Sequence, residues 1–142
     1  SKNLILTEEL SNGTNKTDIL NLLHSAIFAK FDGGGVPILA NTVEFIQVPF
    51  DCKITSCYLL TDIDGTVKVD IWKDTYANYP PTDADTITGG NEPEIASSGK
   101  KYQDTTLTSW TTTISAGDIL YFNIDSCTLI TKLLVILIVE KI

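Results

Sequence analysis

The chain has 142 residues and a net charge of −8, and all ten of its basic residues are lysines. Phosphate backbones and anionic membrane surfaces are bound by clustered lysine and arginine, so we expect no nucleic-acid partner and no membrane partner. The length fits one domain, which at this size folds without help from a metal or a disulfide. We therefore expect no cofactor.

The N-terminal region is predicted to contain two parts. Residues 1–16 have few apolar side chains and are expected to form an arm that lies against a neighbouring subunit or another particle protein. Residues 17–142 are expected to form a single domain that begins with a short helix over Thr17–Ala26. The apolar positions at helical spacing are Ile19, Leu22, Leu23 and Ala26.

Strand patterns dominate the rest of the chain. The segments are short, rich in β-branched and aromatic residues, and separated by turn residues. Their number and spacing predict an all-β fold, an antiparallel β-sandwich of the jelly-roll kind with one short N-terminal helix. The predicted strands are Ile27–Asp32, Val43–Phe50, Lys53–Asp62, Thr66–Lys73, Thr105–Ile114, Asp118–Asp125 and Leu129–Ile142.

The segment Asp62–Gly65 carries two alternative signals. Asp-Gly between two strand patterns predicts a two-residue hairpin turn, which would place Leu60 opposite Val69. The same residues resemble a fragment of a calcium-binding loop, but the ligand spacing of a complete loop is missing. We therefore predict the hairpin.

Residues 74–104 are predicted to form a long acidic loop. The segment contains six carboxylates and two lysines, several prolines and glycines, and little hydrophobic periodicity. A loop of this length within a compact domain is usually functional or partly structured. We expect one short strand within it, near Ile87.

Catalytic signatures are missing from the sequence. The single histidine, His24, has no nucleophile motif beside it, so we expect that the protein is not an enzyme. The three cysteines are expected to be buried thiols. Cys52 and Cys57 are five residues apart in a predicted strand, which places them on opposite faces. Cys127 is the third.

An aromatic set is the candidate binding surface. Exposed aromatic rings beside carboxylates and amides are typical of sugar-binding β-sandwiches. In the alternative interpretation, Trp72 is covered by its own following loop, because aromatic side chains usually bury large areas. The candidate glycan-binding or partner-binding residues are Trp72, Tyr76, Tyr79 and Trp110.

The C-terminal strand is apolar on both faces. Leu133, Val135, Leu137 and Val139 share one face and are expected to contact the core. The opposite face needs a second cover, either the predicted helix or a neighbouring subunit. The candidate oligomer-interface residues on that face are Leu134, Ile136 and Ile138.

The run from Phe31 to Ser126 resembles a small β domain that recurs in structural proteins of tailed bacteriophages. The similarity is strongest at Asp70–Lys73 with the following Tyr79–Pro81. A shorter similarity, at Ala116–Leu120, is to the trimeric jelly rolls of the C1q and TNF type. The other segments that resemble the phage domain are Phe31–Gly35, Val48–Ile54, Asp64–Val69, Trp110–Ile114 and Ala116–Leu120 itself.

The resemblance implies a virion component, often trimeric, without catalytic residues. We therefore expect a surface protein of the phage particle, assembled in the host cytoplasm, that contacts copies of itself and other virion proteins. A capsid decoration protein or a short head fibre is the favoured form. The alternatives are a receptor-binding tail-fibre tip, which contacts a host-surface glycan, and a carbohydrate-binding module.

Overall fold

The computed structural model describes residues 22–142 and shows an all-β protein built on one antiparallel, curled sheet. The predicted N-terminal helix does not appear as an element of the described residues. Residues 17–21 lie outside the described residues, Leu22 and Leu23 are helical, and the remaining residues, His24–Ala26, belong to the first strand. No helix in the described part of the chain is long and apolar enough to span a bilayer.

Seven strands and one short 3-10 helix make up the described chain. The 3-10 helix, Asp83–Asp85, lies between the third and fourth strands. The strands are β1 (His24–Asp32), β2 (Val43–Gln47), β3 (Cys52–Asp74), β4 (Glu94–Asp104), β5 (Thr113–Ile114), β6 (Ile119–Thr128) and β7 (Lys132–Lys141).

Strand β3 organises the sheet, because its 23 residues pair with different neighbours along their length. The first half of β3 pairs with β7, which pairs in turn with β1. The second half pairs with β6, which pairs in turn with β2. Strand β4 runs along the other side of both halves. The sheet therefore curls at the middle of β3, and its concave side encloses the hydrophobic core.

The predicted hairpin at Asp64–Gly65 is wrong, because β3 continues through these residues. Leu60 lies opposite Leu134 and Lys101, and Val69 lies opposite Ile124. The reason lies in the tertiary structure, because a Cβ added at Gly65 would lie 2.3 Å from the carbonyl oxygen of Thr128. Glycine here permits a close approach of two backbones at the bend rather than a turn.

Asp62 holds the connection between β6 and β7 at the same bend. Its carboxylate accepts hydrogen bonds from the Thr131 amide, the Thr131 hydroxyl and the Lys132 amide. The Thr131 hydroxyl is the main cause that lowers the pKa of Asp62, so the ionised form is favoured. The fragment that resembles a calcium loop thus has a structural role at this carboxylate.

Two further strand predictions need correction. The segment expected to be a long loop contains β4, an 11-residue strand in which only Ile95 is buried. Of the predicted strand Thr105–Ile114, only Thr113 and Ile114 are in a strand. Strand β4 was not predicted because its sequence lacks a hydrophobic pattern. It pairs with one neighbouring strand and carries polar residues, as edge strands commonly do.

The three cysteines are free thiols, with Cys52 and Cys57 buried and Cys127 half-buried. Cys52 and Cys57 both point to the core, contrary to the prediction of opposite faces. A register shift between Ile54 and Ser56 adds a residue and reverses the alternation. Burial, followed by the nearby Asp104, raises the pKa of Cys57 to about 12. This cysteine is therefore a thiol at neutral pH and not a nucleophile.

Candidate functional site

An aromatic row crosses the outer side of the half-sheet that contains β2, β6 and the second half of β3. Tyr121 lies directly opposite Phe45 on one side and Trp72 on the other. Its ring centroid is 5.3 Å from that of Phe45 and 6.3 Å from that of Trp72. The strand neighbours Leu120 and Phe122 are fully buried, so the aromatic row points away from the core.

The loop after β3 adds two tyrosines to this row. Tyr79 meets Tyr121 edge-on at a centroid distance of 5.8 Å, and the two hydroxyls are 2.9 Å apart. Tyr76 is 75% exposed and Tyr79 is 44% exposed. We call this surface the aromatic face, and its members are Phe45, Trp72, Tyr76, Tyr79 and Tyr121.

An open pocket of about 310 Å³ lies between β2 and this loop. Its walls consist of aromatic rings, the side-chain amide of Gln47 and the aliphatic side chains of two isoleucines. The Gln47 amide nitrogen donates to the Gly117 carbonyl at 3.2 Å, which orients the side-chain oxygen of the same amide. The lining residues are Phe45, Ile46, Gln47, Tyr76, Tyr79 and Ile119.

Trp72 and Trp110 occupy different surroundings. Trp72 is half-buried, and its indole N–H donates to Asp70 at 3.1 Å. The following loop therefore covers Trp72 only in part. Trp110 donates its indole N–H to the Asn91 carbonyl and lines a separate pocket with Lys53. The structure thus groups Trp72, Tyr76 and Tyr79 but does not bring Trp110 to them.

The sequence interpretation missed two members of the aromatic face, Phe45 and Tyr121. Phe45 is the one aromatic residue of β2, and Tyr121 adjoins the core residue Phe122, so neither has a local feature that separates it from a core residue. Their proximity depends on the pairing of β2 with β6, which joins residues 76 positions apart. Alternation offered no help, because Tyr121 lies between the apolar Leu120 and Phe122, and neither neighbour of Phe45 is fully buried.

Three carboxylates meet beside the aromatic row. Oxygens of Asp70, Glu92 and Asp125 lie within 4.8 Å of one another, a spacing at which carboxylates can hold a cation. Burial, followed by the charges of Asp70 and Glu92, raises the pKa of Asp125. Lys68 approaches Glu92 to 3.9 Å and offsets part of the charge.

Both carboxylate oxygens of Asp70 already accept hydrogen bonds from other groups of the protein. One of its oxygens accepts hydrogen bonds from the Ile71 amide and from the hydroxyls of Thr86 and Thr88. The other accepts from Trp72. These bonds account for its burial without a bound ion. The cluster therefore has a structural explanation in the residues that surround it.

The other half of the curled sheet carries a second apolar surface on its outer side. One cross-strand row consists of Lys30, Leu134, Leu60 and Lys101, in the order β1, β7, β3 and β4. The next rows contain the remaining apolar residues. We call this surface the aliphatic face, and its apolar members are Phe28, Tyr58, Leu60, Leu134, Ile136 and Ile138.

Burial in β7 matches the predicted division of the strand. Leu133, Val135, Leu137 and Val139 are at most 1% exposed and belong to the core. The three residues predicted to form an interface are half-buried on the opposite side. Those residues are Leu134, Ile136 and Ile138.

No family model and no curated protein matches the chain. Several solved structures, however, are similar to it in fold. A carbohydrate-binding module from glycoside hydrolase family 9 (Cel9A) of Ruminococcus flavefaciens FD-1 has a TM-score of 0.50 and 14% identity, over 82% of this chain and 98% of that chain. CpGH89CBM32-6, produced by Clostridium perfringens, has a TM-score of 0.44 and 10% identity, over 83% and 94%. The nucleoplasmin-like N-terminal domain of Drosophila FKBP39 has a TM-score of 0.39 and 10% identity, over 84% and 92%.

The likeness to the Ruminococcus module concerns the fold. It spans nearly the whole of that module, so the curled sheet of this chain is similar to a complete β-sandwich rather than to a fragment of one. At 14% identity, it says nothing about the side chains of either outer face. The functional interpretation therefore depends on the aromatic face and the aliphatic face themselves.

Proposed function

We propose that this chain is a non-catalytic recognition module that binds carbohydrate on its aromatic face. The observation that supports the proposal most strongly is the row of Phe45, Tyr121 and Trp72, extended by the exposed ring of Tyr79. Flat rings offer an apolar surface on which the C–H face of a sugar ring can stack. Adjacent hydroxyl and amide groups can bind the sugar hydroxyls.

The tyrosine hydroxyls supply the polar part of this surface. The Tyr121 hydroxyl hydrogen-bonds the Tyr79 hydroxyl, and this bond is the main cause that raises the pKa of Tyr121. Tyr121 is therefore neutral at physiological pH. When Tyr121 donates to Tyr79, the exposed Tyr79 hydroxyl keeps its own proton for a ligand oxygen.

The carboxylates beside the row favour binding over catalysis. A general acid or base needs an oxygen that can reach the substrate. Both oxygens of Asp70 are held by protein donors, among them Trp72 and Thr86. Of the two that remain, Glu92 approaches Lys68, and one oxygen of Asp125 accepts a hydrogen bond from Asn123 at 2.8 Å.

The setting that we propose rests on the sequence resemblance. The resemblance favours a position on the surface of a tailed-phage particle, as a capsid decoration protein or a short head fibre, with a tail-fibre tip as the alternative. Trimeric assembly and jelly-roll topology belong to the same proposal. Co-purification of the protein with capsids, rather than with tails, would support the first position.

The glycan proposal is tested with the full chain on an array of neutral and acidic glycans, followed by calorimetry on the best ligand. Tyr76→Ala and Tyr79→Ala are each expected to weaken binding about tenfold, which is the effect of losing one stacking contact of about 1.4 kcal/mol. Leu39→Ala removes a similarly exposed side chain outside the aromatic face and is expected to leave affinity unchanged. Absence of glycan binding, or equal losses in all three variants, would contradict the proposal.

A further inference from the structure

The aliphatic face is apolar at its centre and remains partly open to solvent. Phe28 is 55% exposed and Leu60 is 45% exposed, and both adjoin the half-buried side chains of β7. Four neighbouring strands contribute to the face, so it is about 15 Å wide between the outer strands. Single exposed apolar residues are ordinary, but a contiguous surface marks an interaction site.

Two lysines border the apolar centre of the face. Lys30 lies opposite Leu134 in β1, and Lys101 lies opposite Leu60 in β4. The ion pairs found among residues 22–142 involve other lysines, Lys68 and Lys73. Asp62 lines the same groove as Lys30, but its oxygens accept hydrogen bonds from Thr131 and Lys132, so Lys30 and Lys101 can still meet an added carboxylate. The chemistry of the face suits an occupant that combines apolar side chains with carboxylates.

One segment of the chain outside the described residues has this composition. The sequence Leu4–Leu10 reads Leu-Ile-Leu-Thr-Glu-Glu-Leu. In an extended segment, Leu4, Leu6, Glu8 and Leu10 lie on the same side, because side chains alternate. A single side of the segment can thus offer three leucines to the centre of the face and a carboxylate to a lysine at its border.

The chain that leads into β1 argues against cover by the predicted helix of the same copy. Leu22 was to contribute to the apolar side of that helix, but it is 77% exposed. Ala26 was another contributor, and it is part of β1, opposite Ile138. Two of the four apolar residues of the predicted helix are therefore not available to cover the face. The chain is also exposed where it enters β1.

We propose that the aliphatic face binds the segment Leu4–Leu10 of a second copy of this chain. The leucines of the segment contact Leu60, Leu134 and Ile136, Glu8 lies beside a bordering lysine, and the adjacent Glu9 adds to the negative charge of the segment. The thirteen residues between Leu10 and His24 span up to about 45 Å when extended, enough to cross to a neighbouring copy. Each copy donates one segment and receives one, so the assembly can close.

The test is light scattering coupled to size exclusion on the full chain at tens of micromolar. Unmodified protein is expected to elute as a multiple of 15.5 kDa. Glu8→Lys with Glu9→Lys places cations beside cations and is expected to raise the dissociation constant at least tenfold. Lys30→Glu with Lys101→Glu should do the same. Combining all four substitutions restores opposite charges and should restore association.

Lys100→Glu is the matched control, because Lys100 precedes Lys101 in β4 and lies outside the pairs with Leu60. It should leave association unchanged. Melting curves check that each variant is folded. A full chain of 15.5 kDa would overturn the proposal, as would an assembly that Glu8→Lys with Glu9→Lys leaves intact. Loss of association without rescue in the combined variant would overturn the assignment of the segment.

Discussion

Phe45 and Phe28 occupy comparable places on the two halves of the curled sheet. Each lies in an outer strand, points away from the core and is more than half exposed, at 60% and 55%. Their cross-strand neighbours differ. Phe45 lies beside Tyr121, whose ring also contacts Trp72 and Tyr79. Phe28 lies beside the branched side chain of Ile136.

This difference shows that the neighbours of an exposed ring, rather than its exposure, indicate the kind of partner. On the aromatic face, flat rings and hydroxyl groups are held in fixed positions by ring contacts and hydrogen bonds. Such a surface can bind a polar ligand that has apolar faces. On the aliphatic face, branched side chains with lysines at the border suit a peptide segment that carries leucine and glutamate.

The largest effect is expected at the bend that joins the two halves. Gly65→Ala places a methyl group against the Thr128 carbonyl oxygen, so the backbones must separate. We expect a loss of about 2 kcal/mol in the free energy of unfolding and a fall in Tm of about 6 °C. Gly99→Ala is the control, because Gly99 pairs with Gly65 but its added Cβ would have 3.4 Å to the nearest atom. Equal melting of the two variants would mean that the bend does not depend on this close approach.

A smaller effect is expected from the carboxylates beside the aromatic row. Burial and neighbouring charge raise the pKa of Asp125, so its ionised form is disfavoured in the folded protein. Its unfavourable contribution grows as the pH rises through the pKa of the unfolded and then of the folded state. Asp125→Asn should therefore raise Tm at pH 7, by no more than about 3 °C, because the residue as a whole remains exposed and its carboxyl group is only partly shielded from solvent.

Thermal melting at pH 7 and below pH 4 measures this effect, and the gain should shrink at the lower pH. Addition of EDTA should leave the Tm of the unmodified protein unchanged. A lower Tm for Asp125→Asn, together with a fall on EDTA addition, would contradict this account and indicate a bound cation at Asp70, Glu92 and Asp125.

Much of the sheet could be predicted from local pattern. The continuous apolar sequence of β7 predicted a core side, and that side is buried; the cover predicted for the opposite side stays a prediction, because its residues are half-buried. The end of β1 at Asp32 also follows from its local sequence. These features depend on residues close in sequence, for which alternation and turn residues are informative.

The errors arose where distant parts of the chain decide the outcome. Asp64–Gly65 has the composition of a hairpin, but the approach of Thr128 makes glycine necessary within a continuous strand. Strand β4 has an edge composition, and its paired residues in β3 are between 26 (Lys68–Glu94) and 47 (Cys57–Asp104) positions away. Likewise, Phe45 and Tyr121 could be assigned to the aromatic face only when the register of β2, β6 and β3 was known.

The most direct test of the division between the two faces is the glycan affinity of Phe45→Ala and Phe28→Ala. The two substitutions remove the same side chain at similar exposure from opposite halves of the sheet. Calorimetry with the best array ligand should show about tenfold weaker binding for Phe45→Ala and unchanged binding for Phe28→Ala. Equal affinity in the two variants, or a loss confined to Phe28→Ala, would contradict the assignment of carbohydrate binding to the aromatic face.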